Sequence, residues 1–454
     1  MITPGLSKRH GNAVHRLRMR LVLLGLCSAI GYLSVVLRIT ARPVFLRWGF
    51  PLQELLPAFL LHFLILFVLA MAAAWLTFRS GADDQATLTL IAGFAILFRI
   101  LLLPTSPVLS GDIFRYIWDA RVQASRVNPY LSRPADFDSE ESRKDPLFQQ
   151  QNRPFARTIY PPMAQAVFRV SRALGGESTT AMKGLMLLGD LAALTILIWL
   201  LGMLGLPRSR VILYAWHPLV VFEVAGSGHV DALALPFILL AVLAWQRRQN
   251  ILAGIALGAA TLGKIFPILL VPAFLGRRRW ATLLGSGAII LLGYLPFLPT
   301  AGLQVLGHLP RFLTDPDEMF NPSLMGLVVL LASYASRDPV LWAAWIGRVA
   351  WLCTLAWLAW RKTETHQDLL ARIWVVAGAM TLLTLTLHPW YLLWLVPFLA
   401  IQPRLAWIYL SGAVVVSYSF YIVTPGTQAL IGILEYLPFF FLLFWQWHRR
   451  GSPH

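Results

Sequence analysis

The stretch 110–130, SGDIFRYIWDARVQASRVNPY, concentrates ionisable and aromatic groups in a chain that is otherwise mostly hydrocarbon. Asp112, Arg115, Tyr116 and Asp119 fall at i, i+3, i+4 and i+7, which is one face of a helix. A carboxylate next to a cation and a phenol can take a proton from a hydroxyl and hold an anion at the same place. Arg121 and Tyr130 extend the set, and Tyr160-Pro161-Pro162 is a second polar-aromatic marker further along. Asp112 also reads as the N-cap of a helix beginning at Ile113.

Three more polar places interrupt apolar runs. His229 and Asp231 lie in AGSGHVDALAL, where Gly226 and Gly228 flank a turn. Asp231 suits a helix cap, whereas His229 has no structural need and can bond or charge-pair with a substrate. Lys264 is the one charged residue in Asn250–Gly276. An ammonium there faces water or an anion, a lipid phosphate for example, or snorkels to the surface. His388-Pro389-Trp390-Tyr391 marks another turn, with Trp390 suited to an interfacial aromatic belt. Asp190, Glu223 and Glu435 lie inside apolar runs, and Glu223 is spaced to orient His229 or a basic side chain. The spacing of Asp112, Asp119 and Asp231 is compatible with a divalent metal without requiring one. There is no phosphate-binding loop, dinucleotide fingerprint, zinc-like Cys/His cluster or nucleophile elbow. Cys27 and Cys353 read as small buried hydrophobes.

The elements that must position these groups are membrane helices. The chain has 454 residues, 57% apolar and 13% charged, with a mean hydropathy of +0.65. Soluble domains run at about 45–50% apolar and about 25% charged. The net charge of +17 lies in short Lys/Arg clusters between apolar runs, which fits loops facing anionic lipid rather than nucleic acid. Candidate spans are 21–37, 56–78, 86–103, 182–203, 211–226, 231–245, 251–263, 264–275, 281–299, 340–360, 373–387, 391–403, 405–423 and 428–446. The short pair 251–263 and 264–275 suits broken or re-entrant helices. The fold class is an all-α polytopic membrane protein with about 12–14 spans of about 20 residues each. It reads as one domain, 1–454, with an uncleaved N-terminal anchor.

With the basic N-terminus inside, Arg208/Arg210, Arg247/Arg248, Arg277–Arg279, Arg361/Lys362, Arg404 and Arg449/Arg450 assign to the cytoplasmic side. Both termini are then cytoplasmic. The loops 105–180 and 300–339, the latter with Asp315, Asp317, Glu318 and Asp338, lie outside. Ile113, Ile117, Ala120 and Ala124, and then Met163, Val167, Val170 and Leu174, predict short amphipathic helices on the bilayer surface with arginines toward the headgroups. The segment between them, 132–157, reads as a surface loop.

Gly111-Asp112, then Arg115-Tyr116, Trp118-Asp119 and Arg121, then Asn128-Pro129-Tyr130 and Tyr160-Pro161-Pro162, resembles the first outer loop of bacterial GT-C glycosyltransferases. The family-87-like and polyprenyl-phosphate-mannose-dependent mannosyltransferases are the nearest groups. Gly228-His229 with Asp231, Lys264 with Phe266-Pro267, and Pro389-Trp390-Tyr391 recur there in the same order. The likeness spans about residues 90–400 and departs at Ala120, where a glycine is usual. It implies a GT-C-like bundle in the plasma (inner) membrane, an extracytoplasmic site and a polyprenyl-phosphate sugar donor, mannose favoured. It implies an inverting transfer to a lipid, glycan or other hydroxyl acceptor, with Asp112 as the base. Arg115, Tyr116, Asp119, Arg121, Tyr130, Tyr160, His229, Asp231, Lys264, His388 and Tyr391 are the expected substrate-binding residues. Other classes that fit the same composition are a transporter or lipid flippase, and an acyl or phospholipid transferase.

Overall fold

The computed structural model describes residues 4–40, 50–276, 278–310 and 319–451. Arg277, Asp315, Asp317 and Glu318 lie outside the described residues, as do the side chains of Lys8 and Arg9. The protein is 77% helical, and among the described residues its only extended pairing is an isolated bridge between Phe320 and Thr386.

Helices α1 (Pro4–Thr40), α2 (Phe50–Ser80) and α3 (Gln85–Leu102) pack together. Asp84 caps α3 by accepting from the Thr87 amide at 2.9 Å, and its carboxylate also holds Arg18 of α1 at 2.7 Å. Next to it, Asp83 accepts from the Arg208 amide at 2.6 Å. Arg210 lies over Phe78 and reaches the Ile401 carbonyl, Gln246 bonds His366, and Arg372 binds the Arg361 carbonyl at 2.7 Å. The basic clusters thus gather at one end of the bundle. At 1.5 Å per residue, the 18 residues of α3 carry the chain about 27 Å away from that end before Ser110 is reached.

A buried ion pair fixes α3. Arg99 bonds Asp190 of the helix Thr179–Met203 and donates to the Ala215 carbonyl at 2.7 Å, while Tyr214 completes the carboxylate's shell. Each member is fully buried, so every polar atom there must be bonded within the protein. Lys183 on the same helix donates to the Thr105 carbonyl at 2.6 Å and so anchors the exit from α3.

α4 (Asp112–Ala124) is not a surface helix as the spacing predicts. Nine of its residues from Ile113 to Val122 are buried, Arg115 among them, because the helix Pro162–Gly175 and the Thr179–Met203 helix cover it. The helix Pro162–Gly175 starts on a proline, whose missing N–H costs nothing at that position, and ends at Gly176 with φ +64°. It buries Ala164, Gln165, Phe168 and Ser171 and turns Val170 and Leu174 outward. The predicted apolar stripe is therefore split: Val170 and Leu174 face outward, whereas Met163 and Val167 are half-buried against the core.

Among the described residues, six helices are long and apolar enough to cross a membrane, or up to eight if each of two bent pairs is one span. This is fewer than the 14 runs of the sequence reading. Runs 211–226, 264–275 and 391–403 dissolve into short helical turns around Pro218, Pro267, Pro272, Pro389 and Pro397, where missing amide donors break the ladder. The pieces Pro218–Gly226 and Val230–Gln246 meet at 103°. The corner is Gly228, with φ +77°, where a Cβ would sit 2.8 Å from both Ile113 and Lys183 side chains. Within the loop 300–339 an apolar helix, Leu324–Ala332, forms that the charges around it hide. Cys27 and Cys353 are exposed on outward helix faces rather than buried. Those faces carry Leu23, Ile30, Trp345 and Leu352, also exposed, as lipid-facing helices do.

Candidate active site

A cavity of about 540 Å³ opens at the end of the bundle remote from the basic cluster. Asp112, Arg115, Tyr160, Lys264, His388 and Tyr391 line it, coming from four separate stretches of sequence. α4 supplies the first two. Its N-cap is Gly111, which leaves the Asp112 carboxylate free of capping, and that carboxylate instead accepts from Asn152 at 2.8 Å.

Arg115 and Asp119 form a buried pair one turn apart at 2.9 Å. Asp119 turns away from the cavity and takes a second bond from Gln165 at 2.9 Å. Arg115 also donates to the Ala156 carbonyl at 2.9 Å, which clamps the loop 150–160 over α4. Tyr116 lies behind the wall, edge-on to Tyr160 and stacked on Phe168, each at 4.8 Å. Burial pushes the hydroxyls of Tyr116 and Tyr160 well above their usual range, so both stay protonated.

Lys264 ends the helix Asn250–Gly263, where the chain turns extended before Phe266. Its ammonium holds Asp231 at 3.0 Å and faces the rings of Phe266 and Tyr391 at 5.9 Å each. Asp231 is thus the counter-ion of Lys264 rather than a cap. Two small apolar crevices leave the cavity at Lys264, one between Phe266, Pro267, Leu270 and Trp394, the other between Ile265, Leu309 and Tyr391.

His388 contributes to the cavity wall through a stack of three rings. Trp390 has His388 on one side at 4.2 Å and His229 at 4.1 Å. At 5% exposure Trp390 is an internal spacer, not a membrane-belt residue. Glu223 sits 3.2 Å from His229, out of line for a hydrogen bond, and its other oxygen accepts from Tyr418 at 2.8 Å. His388 lies in a turn outside the spanning helices, and burial drives its pKa down to about 3 despite the opposing pull of Asp112. It is a neutral imidazole at neutral pH.

Two expected binding residues lie elsewhere. Arg121 pairs with Glu177 and Asp145 on the surface, and Tyr130 packs on Phe297 and donates to the Tyr160 carbonyl at 2.9 Å. His229 is one ring removed from the cavity. Asp112, Asp119 and Asp231 do not converge, and no group of three potential metal ligands occurs among the described residues. Asn152, Arg153, Arg157 and His308 line the cavity and are absent from the sequence-based set. The first three lie in or beside the segment read as a surface loop, where composition gives no signal. Arg153 has φ +63°, a strained position visible only in the structure.

The fold and cavity define a polytopic helical membrane protein with an ionisable pocket at one end of its bundle. The family model of glycosyltransferase family 87 matches residues 158–389, just over half of the chain, and the chain belongs to that family. The match takes in Tyr160, His229, Asp231, Lys264 and His388, and begins after Asp112 and Arg115. No curated protein and no solved structure matches the chain.

Proposed function

We propose that this glycosyltransferase is of the GT-C type and transfers a sugar, mannose favoured, from a polyprenyl-phosphate donor to a hydroxyl acceptor with inversion. The observation that carries this reading is a carboxylate, Asp112, and an ammonium, Lys264, lining the same cavity. Asp112 takes the proton of the acceptor hydroxyl as that oxygen bonds to the anomeric carbon. The bond from that carbon to the phosphate oxygen breaks on the opposite side, which inverts the centre, by the logic of inverting hydrolysis with the acceptor in place of water. The departing phosphate gains charge, and Lys264 stabilises it. Neutral His388 offers a ring nitrogen for hydrogen bonding rather than a positive charge.

The apolar side chains of Phe266, Pro267, Leu270 and Trp394 beside Lys264 support a lipid-linked phosphate, because they set hydrocarbon next to the charged head. The gathering of basic clusters at the far end supports an extracytoplasmic site in the plasma (inner) membrane, with both termini cytoplasmic. Tyr160, His229, Asp231 and Tyr391 then act by shaping or holding the groups that meet substrate. Tyr116, Asp119, Tyr130 and Arg121 brace the loop. Family membership favours sugar transfer over transport or acyl transfer. The test is incubation of purified protein with polyprenyl-phosphate mannose and a panel of hydroxyl acceptors, read by mass spectrometry and proton NMR. A hexose increment with inverted anomeric configuration is expected. Solute flux without product, or an acyl increment, contradicts the reading.

A further inference from the structure

The cavity holds two separate cationic places with different surroundings. Lys264 is one, neutralised in part by Asp231 and opening onto apolar crevices. The other lies on the wall built by α4 and the loop 150–160. Arg115 is 6% exposed, with Nε committed to Asp119 and Nη1 to the Ala156 carbonyl, while Nη2 takes no partner among the described residues. Arg157, one residue past that carbonyl, lines the same cavity, and its buried Nε also takes no partner. The acid that Arg157 acts on, Asp136, is already bonded to Arg133 through both oxygens.

A buried guanidinium N–H left without an acceptor is costly, so two of them on one wall mark a place for an anion. Guanidinium groups suit the planar, multi-oxygen face of a phosphate. Gln151, Asn152 and Thr158 make this side polar, unlike the Lys264 side. Asp112 belongs to it, one helical turn from Arg115, and i,i+3 neighbours on a helix stand about 5–6 Å apart at Cβ. That spacing suits a hydroxyl a few bonds away from a phosphate.

We propose that Arg115 Nη2 and Arg157 Nε form an anion subsite for the acceptor, and that the acceptor is a phosphate ester bearing a free hydroxyl. The inference rests on the sugar-transfer reading above. The acceptor's phosphate is held and unchanged; its hydroxyl oxygen bonds to the anomeric carbon, its proton passes to Asp112, and the donor phosphate leaves at Lys264. The cavity then carries two anions during turnover, one at Lys264 and one at the Arg115–Arg157 place.

The test uses the full chain purified in detergent. The probes are sn-glycerol 1-phosphate and phosphatidylglycerol, with glycerol and monohexosyl diacylglycerol as phosphate-free counterparts. Binding is read by titration calorimetry for the soluble pair and native mass spectrometry for the lipid pair. The expected result is about tenfold preference for the phosphate-bearing member of at least one pair, the size of a charge-assisted bond. Preference in the lipid pair alone assigns a phospholipid acceptor; preference in the soluble pair alone assigns a phosphorylated soluble one. Arg157→Gln removes the preference and Arg157→Lys retains part of it, while affinity for polyprenyl-phosphate mannose is unchanged in both. Equal binding within both pairs overturns the subsite, as does an Arg157→Gln protein that loses donor affinity and keeps the phosphate preference. A wild-type protein that prefers the phosphate probes but transfers no sugar from the donor contradicts the donor assignment and leaves the anion subsite standing.

Discussion

His229 and Trp390 stack with ring centroids 4.1 Å apart and planes 17° from parallel, and the opposite side of the indole carries His388. The middle ring ties the corner at Gly228 to the cavity wall. Trp390→Ala opens a void between two imidazoles and is expected to lower stability by about 3–5 kcal/mol, the range for loss of a buried large aromatic. Trp390→Phe keeps a ring in place and loses only part of that. Thermal denaturation of the two purified variants in one detergent checks the order; equal losses would contradict the stack as the organising contact.

Gly228 cannot accept a side chain without moving its neighbours. Its φ of +77° and the 2.8 Å approach of Ile113 and Lys183 make Gly228→Ala strained twice over. A cost of about 1–3 kcal/mol is expected from backbone strain. Because Ile113 adjoins Asp112, turnover should fall further than the loss of folded protein explains. Specific activity per folded molecule, with folded protein quantified by size-exclusion chromatography, separates the two effects.

Lys264 and Asp231 stabilise each other in a place where neither is well hydrated. Removing one partner of a buried pair costs about 3–5 kcal/mol because the other charge is left stranded. Lys264→Gln and Asp231→Asn are each expected to lower the melting temperature, and the double variant to lose less than their sum, with a coupling of about 1–3 kcal/mol. Only Lys264→Gln also weakens binding of polyprenyl phosphate. Additive losses in the cycle would mean that the two side chains do not interact.

The depressed pKa of His388 makes stability pH-dependent with a definite sign. An unfolded histidine titrates near 6.5, whereas the folded one stays neutral down to about 3. Between these values the unfolded state binds the extra proton. Stability is therefore full above pH 6.5 and falls as the pH drops toward 3. Single-group linkage gives about 2 kcal/mol lost at pH 5 relative to pH 7. His388→Gln should flatten that part of the curve, and denaturation at pH 7 and pH 5 for both proteins measures it.

Much of the site was legible in sequence because polar residues inside hydrocarbon stand out. Lys264, His388 and Asp112 were visible as groups that an apolar chain has no structural reason to carry. Arg157 and Asn152 were hidden for the opposite reason: polar residues in a polar loop carry no contrast, and only the Arg115 clamp on Ala156 reveals that the loop folds inward. Hydropathy also gave no sign of helix breaks, since the apolar run near Pro389 and Pro397 folds as short helical turns rather than one continuous helix. The orientation of Arg121 away from the cavity turned on Glu177, a partner on a different element that spacing along α4 cannot foresee.

The proposed transfer depends on Asp112 removing the acceptor proton. Its most direct test is the turnover of Asp112→Asn, which keeps the size and the contact with Asn152 but cannot accept a proton. Loss of a general base is expected to reduce kcat by about 10²–10⁴-fold, with melting temperature and donor affinity unchanged. Turnover near that of the wild type, in a folded protein that still binds donor, would contradict the account.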